Sequence, residues 1–406
     1  MPIEASPAPD ACIVQRHHGL DWLRIGAFLA LILYHTGMVF VTGSWLVKLA
    51  QIEWLAFPML FLTPWRLALL FTVSGYASRA LFAKLRDTGR FAAERTKRLI
   101  VPLLFAMAVI IPPQSWVNLK TNHGYTGSYG HFLTHDWLRF GPYDGVTLPG
   151  WEHLWFVFYL WLYTMLLAGG LILFAPRFGA TAARGFAWLG GGTRLLWLPL
   201  AYFVPVRIAI TFTTGESHGL FNDWLSDAIY LPCFLFGFGL AGTQALWPAI
   251  RRLWRPAIAL ALLSYVVLAA VEIAYPASAT PPHEVMALDR AAMAVMLWTM
   301  VLVMLRLADA LRSFDHRWRP ALSEAVFPIY IIHQTIIVLV AWWLLPLNPS
   351  AWLAYPIVAG ATGFGCWLFY RLGREGPLLA PLIGLRAASR PVKPEPEAPR
   401  PSPAGP

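Results

Sequence analysis

Long apolar runs constrain this chain more than any other feature. A membrane-spanning helix needs about 20 consecutive, mostly apolar residues. Runs of that kind recur near 20–42, 60–83, 98–115, 151–175, 193–213, 224–246, 254–275, 288–311, 322–346 and 352–371. A backbone in hydrocarbon must satisfy its own hydrogen bonds, so each run is predicted to be a helix. The expected fold class is all-α, a polytopic membrane protein of about ten transmembrane helices. The runs at 98–115 and 193–213 are broken by proline and have the least definite bounds. Composition agrees, with 58% hydrophobic and 13% charged residues against roughly 25% charged in a soluble domain.

The links between runs alternate in charge. Lys and Arg crowd one set: Arg79 to Arg98, Arg177 and Arg184, Arg251 to Arg255, Arg312 to Arg319, and Arg371 to Lys393. The other set carries Asp136, Asp144, Glu216, Asp223, Asp227 and Glu284, with few bases. Basic links stay in the cytoplasm, so both termini are expected there. The net charge of +10 is thus spread over loops and forms no nucleic-acid patch.

Residues 1–19 lack the basic start, apolar middle and small-residue end of a signal peptide, so the first run is expected to persist as a helix. They are read as a cytoplasmic segment, 20–375 as the transmembrane domain, and 376–406 as a Pro-rich, disordered cytoplasmic tail. The largest extracytoplasmic loop is expected at about 118–150. Its polar and aromatic residues suit a carbohydrate, and equally an inert connection. Cys12, Cys233 and Cys366 lie too far apart to suggest a disulfide framework or a metal site.

Ionisable groups at membrane depth are expensive and mark functional sites by default. The first run, "DWLRIGAFLALILYH" (21–35), carries three of them. Arg24 and His35 are eleven residues apart, which is three helical turns plus roughly 20°, so they share a stripe about 16 Å long. Asp21 is placed to pair with Arg24 at i and i+3. His333, Arg207 and His153 fall within later runs, and with Glu324 as a carboxylate they suggest one lined cavity.

"DWLRIGAFLALILYH" resembles the signature of the family 3 membrane acyltransferases. "LLFTVSGYASRALF" (69–82), "ERTKRLIVP" (94–102) and "SEAVFPIYIIH" (323–333) are similar to three more of its stretches, in order. "HLWFVFYL" (153–160), "YLPCFLFGFGL" (230–240) and Arg207 bring the chain nearest to family members that succinylate periplasmic glucans. The likeness runs from about residue 19 to about 375.

This resemblance implies transfer of an acyl group, succinyl or acetyl, from cytoplasmic acyl-CoA to a hydroxyl of an extracytoplasmic carbohydrate at the cell inner membrane. Acyl-CoA is then a donor substrate, no cofactor is bound, no metal is needed, and glucan-synthesis machinery is a candidate partner. Arg24, Arg95 and Arg98 are the expected phosphate ligands, since Arg suits bidentate phosphate contacts. Otherwise Arg95 and Arg98 simply mark the inner face.

His35 is the expected general base, because a buried imidazole is neutral near pH 7; His333 competes for that role, and Asp21 orients Arg24. Ser74, with Gly75, is expected to permit close helix packing, since no Gly-x-Ser-x-Gly accompanies it. Trp155 is expected to stack on a sugar or to anchor the interface. The rival reading is a transporter or flippase for a glycan or lipid-linked glycan, though the first and last five runs share no repeat of the Arg and His.

Overall fold

A computed structural model describes residues 17–213, 219, 222–276 and 279–385, with the backbone alone for 175–180. The expected tail beyond 385, most of the amino-terminal segment, Cys12 and Glu216 lie outside the described residues. The helices are α1 (His18–Met38), α2 (Ala56–Leu62), α3 (Arg66–Leu85), α4 (Thr88–Phe105), α5 (Pro112–Asn122) and α6 (Trp155–Leu189). They continue as α7 (Arg194–Thr211), α8 (Trp224–Gly242), α9 (Leu246–Ala274), α10 (His283–Ala310), α11 (Arg319–Leu344) and α12 (Ala351–Glu375).

All ten apolar runs coincide with these helices. Among the described residues, eight helices are long and apolar enough to cross a membrane, or nine if the bent pair Thr88–Ile110 and Pro112–Asn122 is one span. The protein is an all-α, multi-pass membrane protein. α1 is not among the eight, because Asp21, Arg24 and His35 lower the hydropathy of an otherwise apolar helix.

Local chemistry sets the corners. Arg86 closes α3 in the left-handed conformation (φ 54°), and the Asp87 side chain accepts from the Arg90 N–H to cap α4. Past α4 the chain runs through a π-helical turn (Ala106–Ile110) and bends by 44° where Pro112 and Pro113 follow. The Thr335 hydroxyl, on α11, meets the Ile110 carbonyl at that break (2.9 Å), as a broken helix in a membrane requires. The expected loop at 118–150 is ordered. It contains a hairpin of β1 (Gly141–Tyr143) and β2 (Val146–Leu148), turned by Asp144 and Gly145, both with positive φ.

Small residues let helices approach closely. Gly75 on α3 faces the Phe234 carbonyl of α8, and Gly237 on α8 faces the Thr72 carbonyl of α3; a Cβ at either position would collide with backbone. Gly19 likewise seats α1 against the Ala308 carbonyl of α10. Gly75 therefore serves packing.

α1 and α11 run parallel along their length. Asp21 meets Arg319, Arg24 meets Ser323 and His35 meets His333, giving sequence offsets of 298, 299 and 298. A nearly constant offset over these contacts means that the two helices share direction and register.

Candidate active site

The seam between α1 and α11 brings two of the predicted histidines into contact. His35 Nδ1 lies 2.8 Å from His333 Nε2, with the rings stacked at 5.1 Å and 22°. His153, at the start of α6, stands edge-on to His333 at 4.9 Å and to His35 at 6.3 Å. Three imidazoles from three distant stretches thus form one cluster. Among the described residues no group of His, Cys, Asp or Glu is arranged to hold a metal ion.

The hydrogen bonds settle which nitrogen carries each proton when the rings are neutral. A carbonyl only accepts, so His333 donates Nδ1–H to Tyr330 O (2.7 Å). Its Nε2 must then accept, and His35 donates Nδ1–H to it. The His35 Nε2 keeps its lone pair. His153 is fixed the opposite way, because its Nε2–H is shared by the Tyr330 and Ile331 carbonyls (3.1 and 3.2 Å). The Tyr330 hydroxyl closes the loop by donating to the His153 carbonyl. Of the three rings, only His35 has a basic nitrogen that is neither hydrogen-bonded nor sealed in; Nδ1 of His153 is buried without a partner.

A buried amide network holds α11 in place beside the cluster. Gln334 donates to Gln114 Oε1 (3.0 Å), Gln114 donates to the Thr335 hydroxyl (2.6 Å), and Thr335 reaches the Ile110 carbonyl. Next to His153, Glu152 sits in the left-handed region (φ 45°) and accepts from Ser115 Oγ at 3.2 Å. For a residue with a side chain that conformation costs of order 1 kcal/mol or more, and it persists because Ser115 and the following helix hold it.

At the other end of the seam the arginines collect. Arg24 donates to the Ser323 carbonyl (3.0 Å). Buried Arg95 bonds the Ser78 hydroxyl and reaches the Ser74 carbonyl. Exposed Arg98 is within electrostatic range of both Arg24 and Arg95. Asp21 acts electrostatically on Arg24, and it also makes an ion pair that the sequence did not suggest, with Arg319 at 2.6 Å. Arg319 is buried and holds Asp315 as well.

Other predicted residues lie elsewhere. Glu324 is exposed, so it does not line the cavity. Arg207 belongs to a separate cluster with Met293 and Asp289. Trp155 is buried against Tyr159 (5.1 Å) and Tyr230 (6.0 Å), which makes it neither a sugar platform nor an interface anchor but part of the core. Ser74 contributes its carbonyl oxygen.

Residues 17–371, nearly the whole chain, match the family described as Acyltransferase domain. The chain belongs to the family 3 acyltransferases. It is therefore an enzyme that transfers acyl groups, which sets aside the transporter reading. Among similar proteins is Glucans biosynthesis protein C of Escherichia coli O6:K15:H31 (strain 536 / UPEC), 25% identical over 394 residues that cover 93% of this chain and 96% of that protein. The protein of the same name from Salmonella schwarzengrund (strain CVM19633) is 28% identical over 239 residues, 57% of this chain and 58% of that protein. No solved structure matches the chain.

Gln114, Gln334, Glu152 and Arg319 were not singled out from sequence. The one available signal was Gln334 beside His333 in an apolar run; the rest depend on which helices touch. Gln114→Leu should strand the Gln334 amide and lower stability by about 1–3 kcal/mol, read as a fall in the melting temperature of the detergent-solubilised protein. An unchanged melting temperature would mean that the network does not hold α11.

Proposed function

We propose that the protein moves a succinyl or acetyl group from cytoplasmic acyl-CoA to a hydroxyl of an extracytoplasmic carbohydrate such as a periplasmic glucan, across the cell inner membrane. The observation that carries this reading is the free Nε2 of His35 at one end of a polar seam whose other end is basic. The phosphorylated part of the donor binds Arg24, Arg95 and Arg98, and its thioester extends along the seam. The carbohydrate enters from the opposite side. Both similar proteins quoted above are named for glucan biosynthesis, which supports that class of acceptor.

In the transfer step the acceptor oxygen attacks the thioester carbonyl carbon. A C–O bond forms, the C–S bond breaks, and the hydroxyl proton passes to His35 Nε2. That proton then returns to the departing thiolate, so the resting tautomer is restored. His333 is a positioning residue: by accepting from Nδ1 it points the His35 lone pair outward and stabilises the imidazolium that forms.

The topology that serves this chemistry has ten spans, α1 included and α4 with α5 as one, and both termini in the cytoplasm. Parallel α1 and α11 support it, being first and ninth in that order. So do contacts between links. His18 with Asp315 and Arg252 with Gly190 and Gly192 meet at the ends assigned to the inside, and Trp22, one turn into α1, reaches Phe314 there. Asn122 with Trp45 and Trp54 with Trp352 join links assigned to the outside.

A cysteine placed in 120–145 should label from outside in intact cells, and one in 84–90 should not; the reverse pattern would overturn the topology. His35→Ala should fold and bind acyl-CoA but transfer to a glucan oligosaccharide about two to four orders of magnitude more slowly, with His333→Ala less impaired. If His35→Ala turns over near normally at saturating donor, His35 is not the base.

A further inference from the structure

Arg66 is the residue beside the histidines that acyl transfer as described leaves without a role. It is 8% exposed and stands at the first position of α3, with its guanidinium 3.5 Å over the Tyr34 ring. Tyr34 in turn stands edge-on to His35 at 5.9 Å, and the Arg66 charge is within electrostatic reach of His35. Among the described residues its one hydrogen bond runs from Nη1 to the Thr63 carbonyl (3.1 Å), and Nε is buried with no partner there. Among the described residues no carboxylate pairs with it.

The helix end makes this more costly. The amino terminus of α3 carries the positive pole of its dipole, and its first turn holds no acidic residue. A buried cation and a helix amino terminus therefore add positive charge at one point in the membrane. Every other buried arginine of the seam has an oxygen on more than one side or a nearby acid: Arg319 holds two carboxylates, and Arg95 has Ser78 and Ser74. A buried charge is retained where it is paired or functional, and Arg66 has only the Tyr34 ring and one carbonyl in place of a counter-ion among the described residues.

We infer that Arg66 binds a carboxylate carried by the transferring acyl group, and so selects a dicarboxylic acyl donor such as succinyl over acetyl or a neutral chain. This rests on the transfer at His35 described above. The reacting thioester lies next to His35, so a group at Arg66 is on the acyl side of the donor, remote from the phosphates at Arg24 and Arg95. A transient oxyanion is the other negative charge that arises near His35. It would leave Arg66 unpaired in the resting complex, whereas a carboxylate neutralises it from the moment of binding. The planar fork of Arg suits a carboxylate in two-point contact.

The test is donor binding by calorimetry on the full-length protein in detergent, with succinyl-CoA and butyryl-CoA, which match in chain length and differ in charge. Wild type should bind succinyl-CoA at least tenfold more tightly. Arg66→Gln should lose about 10- to 100-fold for succinyl-CoA and stay within about threefold for butyryl-CoA, which also reports that the variant is folded. Arg66→Lys should recover part of the loss. Equal affinity of wild type for the two donors, or equal losses in Arg66→Gln, would overturn the assignment. If wild type binds neither donor, the acyl-CoA reading itself fails, and Arg66 with it.

Discussion

The parallel seam between α1 and α11 is the contact on which the rest of the site depends. Three interactions with almost the same sequence offset, Asp21–Arg319, Arg24–Ser323 and His35–His333, lock rotation and register together. Sliding one helix by a single residue would turn a side chain by about 100° and break all three. The membrane raises the stakes, because a displaced Arg or His would face hydrocarbon with no water to replace its partner. The seam thereby fixes a basic end and an imidazole end about 16 Å apart on one helix.

Several features elsewhere serve that alignment. Gly19 lets α1 sit against α10, and the bend after Ile110 frees a carbonyl that Thr335 takes up. His153 and His333 share the Tyr330 carbonyl, so the backbone of α11 dictates the proton position on two rings. Tautomer choice is a property of helix packing here and needs no carboxylate partner for His35.

Much of this architecture was legible in the chain. Ten apolar runs became helices, because a run of that length in lipid has one way to satisfy its backbone. The stripe of Arg24 and His35 also survives, since helical geometry alone fixes it. Contacts between distant helices were not legible. Spacing within α1 offered Asp21 an obvious partner in Arg24, but Arg319 is also in reach once α11 lies alongside. Glu324 is near the right place in sequence, yet its position on α11 turns it outward. Trp155 suits a sugar platform or an interface anchor by residue type, and only the packing of α6 on α8 reveals it as core. Arg66 lies in the apolar run 60–83, where a charge at membrane depth is itself a signal.

The central claim is that the resting enzyme presents His35 as a base with its proton on Nδ1. Nitrogen-15 spectra of histidine-labelled protein in nanodiscs, assigned by comparison with His35→Gln and His333→Gln, measure this directly. The expected result is a protonated Nδ1 and an unprotonated Nε2 for both His35 and His333, with the His35 pattern changing when His333 is replaced. A His35 protonated at Nε2, or at both nitrogens near neutral pH, would contradict the account.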